Sequence, residues 1–239
     1  MLRLLRMFFH QNIQKLQTND KRVILLIGGG GVLGRALLEK KPDDVFVINL
    51  TKKSIQESRE NIATLHFDVS RHAEDAILHI ASLVDCVDVL INAAVVYHRV
   101  SLEQLKEKEF IEEFILNTFV PMKLSRLCAQ YFWSKYSREV NTLRARKVIN
   151  ISSTAAFGND SRPTRVLYNG TKGALYAGTK AALNIMTEHL HEYVREFGVS
   201  AHVVAPHSLK RDEVCSETVQ LLWELQLKDV QSFSTQKIW

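Results

Sequence analysis

Tyr176 and Lys180 lie four positions apart in the segment Tyr176-Ala-Gly-Thr-Lys180. On an α-helix, positions i and i+4 share one face, so the phenol and the ammonium group would be neighbours. A phenol has a pKa of about 10 and exchanges protons poorly at neutral pH, but a nearby cation favours the phenolate and lowers that pKa. The pair therefore has the properties of an acid–base group for interconverting a carbonyl and an alcohol.

The surrounding chain alternates between short apolar runs and longer polar or amphipathic stretches. Apolar runs rich in β-branched residues predict buried strands, and the stretches between them predict helices. We predict strands at 21–27, 45–50, 63–67, 87–92, 147–152 and 199–205. We predict helices at 32–40, 52–61, 72–83, 102–138 with an interruption near Pro121, 175–197 and 216–227. This alternation predicts an α/β fold of the Rossmann type, a single domain with a doubly wound parallel sheet and helices on both faces.

A glycine-rich loop follows the first predicted strand and opens the first helix. Its glycines include Gly28, Gly31 and Gly34, and Val32 and Leu33 lie between the last two. Glycine allows the backbone to turn tightly and approach a pyrophosphate, and the free N–H groups of a helix N-terminus attract phosphates. This position predicts a dinucleotide-binding loop; a plain glycine turn is the alternative.

Asn49 lies near the end of the second predicted strand, where a dinucleotide-binding unit carries an acid for the ribose hydroxyls. An acid there would repel a 2′-phosphate, whereas Asn49 followed by Lys52 and Lys53 would not. We therefore predict NADP as the preferred cofactor, with NAD as the alternative. The competing interpretation is that the two lysines only solvate the start of a helix.

Composition excludes several classes of function. The 239 residues suit one domain, and no run of 18 or more apolar residues predicts a membrane span. Most of the net charge of +5 lies in the first 22 residues, so the body of the chain has no basic stripe for nucleic acid. Three widely spaced cysteines and nine unclustered histidines predict no metal site and a reducing, cytoplasmic location.

Residues 1–20 are interpreted as a basic N-terminal extension, and residues 21–239 as the nucleotide-binding domain, short at its C-terminus. The first 19 residues contain no acid, and their apolar residues recur roughly on one helical face. A mobile or packing extension is the first interpretation. A targeting segment, which would place the protein in mitochondria, and a membrane-surface helix are the alternatives.

The ordered motifs together resemble the short-chain dehydrogenase/reductase family across residues 22–238. Several further segments carry this resemblance: Asp68-Val69 after the third strand, Asn92-Ala93-Ala94 after the fourth, Asn117 in the long helix, Ile149–Gly158 with Ser153, Pro206, and Ser234–Trp239, which is similar to the start of the last strand of the family.

The resemblance implies an oxidoreductase that transfers hydride between a nicotinamide cofactor and a small carbonyl or secondary alcohol substrate. It implies that Tyr176 exchanges the proton with the substrate oxygen, that Lys180 lowers the pKa of Tyr176 and holds the nicotinamide ribose, that Ser153 hydrogen-bonds the developing alkoxide, and that Asn117 orders a water. It places the cofactor against the glycine loop, Asn49, Lys52, Asp68, Val69, Asn92, Ala93, Ala94, Tyr176, Lys180 and Pro206. It further implies a homodimer or homotetramer, through the helices at 102–138 and 175–197.

The tyrosine–lysine motif occurs twice, because Tyr168-Asn-Gly-Thr-Lys172 precedes the pair at 176–180. Eight residues of continuous helix rotate by about 800°, roughly 80° beyond two turns, so the two pairs cannot face one site. The distance to Pro206 favours Tyr176 and Lys180, whereas the distance from Ser153 in compact family members favours Tyr168 and Lys172. We prefer the second pair, because a helix-to-strand spacing is fixed by packing and a loop tolerates insertion.

Two departures from the family leave a second function open. His207 replaces the glycine usual after Pro206, and the segment that would cover the substrate is short. A dinucleotide-binding sensor or partner subunit without turnover is therefore the alternative function. The glycine spacing also resembles sugar-nucleotide epimerases and dehydratases, but the substrate domain usual in those enzymes is missing from this sequence.

Overall fold

The computed structural model describes residues 15–18, 20–53, 59–98, 102–157, 173–207, 209, 212–227 and 234–238. Within them, seven parallel strands form one sheet in the order β3-β2-β1-β4-β5-β6-β7. The strands are β1 (Arg22–Ile27), β2 (Val45–Thr51), β3 (Ile62–His66), β4 (Val89–Asn92), β5 (Lys147–Ile151), β6 (Ser200–Pro206) and β7 (Ser234–Ile238). The predicted Rossmann-type fold is confirmed, and each predicted strand is present.

Helices connect the strands and cover both faces of the sheet. They are α1 (Val32–Glu39), α2 (Val69–Leu83), α3 (Glu107–Phe114), α4 (Val120–Tyr131), α5 (Arg138–Leu143), α6 (Ala174–Arg195) and α7 (Asp212–Leu227). Short 3₁₀ turns lie at Leu102–Gln104, Trp133–Lys135 and Thr154–Phe157. The helix predicted for 52–61 falls largely on residues outside the described part.

The helical region predicted for 102–138 is shorter than its prediction: a 3₁₀ turn occupies Leu102–Gln104, and the continuous helix runs from Glu107 to Tyr131. Pro121 does not interrupt it; instead a π-helical turn at Ile115–Phe119 joins α3 to α4 without a break. Pro121 lies in the first turn of α4, where a residue without an N–H donor is tolerated. Such π turns often occur at functional sites, and this one contains Asn117.

The core consists of two apolar layers, one on each face of the sheet. One layer packs β1, β2 and β4 against α2, α4 and α6. The other packs the opposite face of the sheet against α1 and α7. The strand order reverses direction between β1 and β4, which opens a crevice at the carboxyl ends of these strands.

The opposite, N-terminal edge of the sheet is closed by polar contacts. The Asp88 carboxylate is buried and accepts hydrogen bonds from Val23 N at 3.0 Å, Arg144 Nη2 at 3.1 Å and Arg146 Nε at 3.2 Å. From the extension, Leu16 packs against the core and its N–H donates to Leu83 O at 2.9 Å. Residues 1–14 lie outside the described part. No described helix is long and apolar enough to cross a membrane.

Candidate active site

The glycine loop is packed so tightly that side chains do not fit. Gly28 has φ of +98°, and a Cβ atom there would lie 2.7 Å from Ala94 N. A Cβ atom at Gly34 would lie 2.4 Å from Gly28 O. The loop therefore approaches the end of β4 closely, and α1 begins directly against it. The first N–H groups of α1, including those of Val32 and Leu33, have no partner within the helix.

A cavity of about 190 Å³ lies between this loop and the carboxyl ends of β1, β2 and β4. Its lining includes many of the predicted cofactor-binding residues: Gly28, Gly31, Lys52, Asp68, Val69, Ala93 and Ala94. Val32 is 53% exposed beside the loop, and the side chain of Leu33 is buried in the core. Leu33 can therefore contribute only its backbone groups at this loop, whereas the side chain of Val32 is accessible.

The structure places Asn49 away from the position expected of it. Its side chain is fully buried, Nδ2 donates to Thr64 Oγ1 at 3.2 Å, and Oδ1 lies under Gly29. The strand β2 continues to Thr51, two residues beyond Asn49, so Asn49 is not the residue at its end. Thr51, Lys52 and Lys53 line the cavity instead, and Thr51 lies beside Gly30. The hydroxyl of Thr51 at a strand end was the missed signal.

Asp68 has a structural task as well as a place in the cavity. As the N-cap of α2, its Oδ1 accepts from Ser70 N at 3.1 Å and from Ser70 Oγ at 2.5 Å. These hydrogen bonds, the hydroxyl first, hold the pKa of Asp68 below its ordinary value. The other oxygen, Oδ2, lies 4.0 Å from Lys52 Nζ. The carboxylate is thus fixed and charged at the mouth of the cavity.

Asn92 ends β4 and connects the strands through buried amides. Its Nδ2 donates to Asn150 Oδ1 at 2.8 Å, and Asn150 Nδ2 donates to Thr187 Oγ1 at 2.9 Å. Asn92 Oδ1 is buried and has no hydrogen-bond partner among the described residues. Asn92 itself does not line the cavity, whereas Ala93 and Ala94, which follow it, do.

Ser153 and Tyr176 meet at the carboxyl end of β5. The hydroxyl of Ser153 lies near enough to the phenol of Tyr176 to lower its pKa, and it accepts a hydrogen bond from Ala155 N at 3.2 Å. Ser152 points elsewhere, and its Oγ donates to Lys180 O at 3.4 Å. The structure therefore brings together the serine and tyrosine that the sequence paired, although they are far apart in the chain.

Lys180 lies one helical turn after Tyr176 on α6 and is buried. Its Nζ donates to Ile151 O at 2.8 Å and lies 5.8 Å from the centroid of the Tyr176 ring. Burial lowers the pKa of Lys180 to about 7. The ammonium group is thus held at the end of β5, close to the phenol.

The pKa of Tyr176 shifts in the direction opposite to that expected. Burial raises it to about 12, against the lowering effect of Ser153, and the negative charge of Glu113 raises it further. Lys180 is not among the groups that shift it. Desolvation acts on both members of the pair and disfavours both charged forms, so it outweighs their mutual attraction.

Asn117 holds the active-site loop to α6. Its Oδ1 accepts from Val96 N at 2.9 Å, and its Nδ2 donates to Val96 O at 2.8 Å and to Thr179 Oγ1 at 3.2 Å. Thr118 adds a hydrogen bond from its Oγ1 to Thr179 O at 3.0 Å. The side chain of Asn117 is therefore committed to positioning the loop after β4 against the helix that carries Tyr176.

The remaining predicted residue, Pro206, is buried at the end of β6 and does not line the cavity. His207 follows it, and His207 Nδ1 lies 3.0 Å from Thr154 Oγ1. This contact ties the end of β6 to the turn after Ser153. Tyr168 and Lys172, the alternative pair, lie outside the described residues.

Sequence reasoning missed two residues beside Tyr176 and Lys180. The ring of Tyr97 lies 4.9 Å from the ring of Tyr176, measured between centroids. Glu113 is fully buried and its charge acts on both Tyr176 and Lys180. Neither carried a signal in the sequence, since Tyr97 lies in a loop and Glu113 belongs to a run of acids that is typical of a solvated helix.

Comparison with known proteins agrees with this geometry. The family model for short chain dehydrogenase matches residues 22–218. No curated protein sequence matches the chain.

Solved structures with the same fold include a short-chain dehydrogenase/reductase from Serratia marcescens, 17% identical, covering 91% of this chain and 95% of its own, with a TM-score of 0.73. An oxidoreductase of that family from Brucella ovis, in complex with a partially ordered NAD, is 18% identical and covers 92% of this chain and 100% of its own, with a TM-score of 0.73. A short chain dehydrogenase from Leptospira borgpetersenii with bound NAD+ is 18% identical and covers 96% of both chains, with a TM-score of 0.72.

Proposed function

Because the chain belongs to the short-chain dehydrogenase/reductase family, we propose that it reduces a small carbonyl compound to an alcohol with NADPH, using Tyr176 as the proton donor. The contact between Ser153 and Tyr176, one helical turn from Lys180, is the observation that carries this proposal. It joins a proton donor, a hydrogen-bond donor for the substrate oxygen and a buried cation at the edge of the sheet that carries the glycine loop.

The residues at this edge fit a dinucleotide. The backbone around Gly28 and Gly34 leaves no room for side chains, which allows a pyrophosphate to approach the start of α1. Lys52 and Asp68 line the cavity beyond the loop. When bound, the cofactor supplies the hydride for the carbonyl carbon.

The protein residues supply the proton and the stabilisation of charge. The Ser153 hydroxyl donates to the substrate oxygen as negative charge develops there, which is the role of a small oxyanion site. Tyr176 then gives its proton to that oxygen, and the ammonium group of Lys180 stabilises the resulting phenolate. The phenol is protonated at neutral pH, as a proton donor must be, but its raised pKa of about 12 makes it a weaker acid than free tyrosine, so stabilisation of the phenolate by Lys180 is needed.

The preference for NADP is supported by the charges at the end of β2. Thr51, Lys52 and Lys53 line the cavity there, and none of them carries a negative charge. A 2′-phosphate would meet two ammonium groups, one of which is shared with Asp68 at 4.0 Å. We therefore expect tighter binding of NADPH than of NADH, although two of the similar structures hold NAD.

Fluorescence titration with NADPH and NADH tests the proposal, followed by a screen of carbonyl compounds for oxidation of NADPH. Replacing both Lys52 and Lys53 by Ala should weaken NADPH binding and leave NADH binding nearly unchanged. The matched control is Lys135→Ala, which removes an exposed lysine from the turn that precedes α5. Equal affinities for both cofactors in every variant would contradict the NADP preference.

The lowered pKa of Lys180 favours one alternative function, which is a protein that binds a dinucleotide but turns over no substrate. A lysine with its pKa lowered to about 7 is partly neutral at neutral pH, and it stabilises a phenolate less well than a fully charged one. Cofactor binding without oxidation of NADPH by any carbonyl compound would identify this alternative. Absence of binding by either cofactor would exclude both functions.

A further inference from the structure

Glu113 is a buried acid that the mechanism above does not use. It lies on α3, one helical turn before Asn117, and its side chain is 0% exposed. Two neighbouring acids of the same helix, Glu107 and Glu112, are exposed. Burying a carboxylate is unfavourable unless nearby groups compensate its charge, so its position beside the active site requires an explanation.

The contacts of Glu113 leave one of its oxygens available. Oε1 accepts a short hydrogen bond from His98 N, at the end of the loop that follows β4. Oε2 is buried and has no hydrogen-bond partner among the described residues. The His98 ring is held in turn by Glu112, with 3.3 Å between Nε2 and Oε2. Glu113 is therefore fixed in place while half of its carboxylate remains unpaired.

The direction of that unpaired oxygen follows from the helix geometry. Positions 113 and 117 are neighbours on one face, and Asn117 reaches both the loop after β4 and Thr179 of α6. Glu113 thus faces the same space between the loop and α6. The charged and titratable groups that act on it there are His98, Lys180 and Glu109, and Tyr176 also senses its charge.

The interaction between Glu113 and Lys180 is reciprocal. Burial lowers the pKa of Lys180, and the charge of Glu113 opposes that shift. Burial likewise raises the pKa of Glu113, and the charge of Lys180 is one of the groups that oppose this second shift. Among the described residues, Glu113 is the one group that raises the pKa of Lys180. The two groups form no direct ion pair within the 4.0 Å limit, so the coupling acts across a short gap.

We propose that Glu113 is a positioning residue of the catalytic pair, and that its buried carboxylate supplies the counter-charge that keeps Lys180 in its ammonium form. This inference rests on the proposed function, because it concerns the charge that stabilises the Tyr176 phenolate after proton transfer to the substrate. Glu113 forms no hydrogen bond with the phenol; its charge acts on Lys180 and also raises the pKa of Tyr176.

The test is to measure the protonation of Lys180 directly, by NMR of protein carrying ¹³Cε-labelled lysine, with the resonance assigned by its loss in Lys180→Met. Glu113→Gln keeps an acceptor for His98 N and the side-chain volume but removes the charge. We expect the pKa of Lys180 to fall by about one unit or more, as is usual when an opposite charge a few ångströms away is removed. Glu107→Gln, which removes an exposed charge from the same helix, should leave it unchanged.

The pH profile of turnover provides the second readout. At a pH above the Lys180 pKa of both the wild type and Glu113→Gln, a fall of one unit in that pKa reduces the ammonium form of Lys180 tenfold. The kcat of Glu113→Gln should therefore fall by about tenfold there, and the alkaline limb of its pH profile should move to lower pH. Glu113→Asp keeps the charge and should restore most of the profile. If the substitution affected folding alone, it would change the amount of active protein without moving the alkaline limb of the pH profile.

An unchanged Lys180 resonance and an unchanged pH profile in Glu113→Gln would overturn the proposal. If that variant does not fold, Lys180→Met decides the question through the carboxyl resonance of Glu113, whose pKa should rise and whose constancy would equally overturn it. If the wild-type protein reduces no carbonyl compound but the NMR shifts occur as expected, the proposed function fails while the counter-charge role stands.

Discussion

At the scale of single residues, the chemistry depends on groups whose charged forms are disfavoured by burial. Tyr176 and Lys180 lie close enough to act together. Burial raises the pKa of Tyr176 and lowers the pKa of Lys180, so it favours the neutral form of each side chain. The phenol of Tyr176 is therefore protonated at neutral pH. Its ability to stabilise the phenolate depends on how much of Lys180 remains charged, which is why nearby acids matter.

Removing the phenol hydroxyl should abolish turnover without disturbing the fold. In Tyr176→Phe we expect kcat to fall by roughly 10²–10⁴-fold, the usual contribution of a general acid, while the Kd of NADPH changes little. Steady-state kinetics beside fluorescence titration would show this. Turnover at the wild-type rate in Tyr176→Phe would shift attention to the pair Tyr168 and Lys172.

The lowered pKa of Lys180 predicts a pH-dependent stability. Between about pH 7 and its unfolded value, the unfolded chain keeps the proton that the folded protein has lost, so the free energy of unfolding rises with pH. Below about pH 7 both states are protonated and the folded state carries the full cost of the buried charge. The upper end of this window overlaps the titration of Tyr176 in the unfolded chain, at about pH 10.

Urea denaturation of the wild type and Lys180→Met from pH 6 to about 9.5 measures this effect. The stability difference between the two proteins should shift in favour of the wild type as pH rises, by up to about 1.4 kcal/mol per pH unit. A difference that stays constant with pH would mean that Lys180 titrates equally in both states.

At the scale of secondary-structure elements, the cofactor edge depends on how closely α1 begins against the glycine loop. A Cβ atom at Gly34 would lie 2.4 Å from Gly28 O and 2.5 Å from the Cα atom of Gly29, which are backbone atoms that cannot rotate away. At Gly178 on α6, by contrast, a Cβ atom would meet nothing within 4 Å. These two glycines form a matched pair for experiment.

Gly34→Ala should lower the free energy of unfolding by about 1–3 kcal/mol, the usual effect of overpacking, and should weaken NADPH binding. Gly178→Ala should raise the free energy of unfolding by about 0.5–1 kcal/mol, because alanine is the better helix former. Thermal unfolding and cofactor titration of both variants would check this. A Gly34→Ala variant that is as stable as the wild type and binds NADPH normally would show that the glycine loop can accommodate the added methyl group.

The π turn at Ile115–Phe119 is a second element that determines the site. It brings Asn117 and Thr118 onto Thr179 and lets one helix serve both the loop after β4 and α6. Because α3 and α4 continue on either side of it, the turn changes the direction of side chains without ending the helix. Sequence periodicity predicts the helix but not this local change.

At the scale of the whole molecule, the two edges of the sheet have separate tasks. The carboxyl edge holds the glycine loop, Ser153, Tyr176 and Lys180. The opposite edge holds the buried Asp88 with Arg144 and Arg146. Variants at one edge therefore should leave the other intact, which gives a test of this division.

Asp88→Asn should lower the free energy of unfolding by about 3 kcal/mol or more, because it leaves the buried guanidinium group of Arg146 without its counter-charge. Asp85→Asn is the matched control: Asp85 is exposed and pairs with Lys15, and its loss should cost at most about 1 kcal/mol. Urea denaturation measures both, and NADPH titration of folded Asp88→Asn should give the wild-type Kd. A weaker Kd would show that the two edges are coupled.

The sequence by itself predicted six of the seven strands and the glycine loop, and its resemblance to the family predicted the last strand and the pairing of Ser153 with Tyr176. Apolar periodicity and glycine placement are local properties, and parallel strands bring their carboxyl ends to one edge, so residues far apart in the chain can be matched. The absence of an acid at the end of the second strand could likewise be read directly.

Only the tertiary structure showed that Thr51, and not Asn49, lies at the end of β2 and lines the cavity. The burial of Glu113 and the direction of the Tyr176 pKa shift were likewise decided by the tertiary structure. A strand end is set by the hydrogen bonds of its neighbours, and β2 extends to Thr51 because β3 pairs with it there through His66. Burial and pKa are sums over groups contributed by several elements at once. Among the acids at 107–113, Glu113 is the buried one, because α3 packs against α6. The spacing of the acids along the chain does not predict which of them is buried.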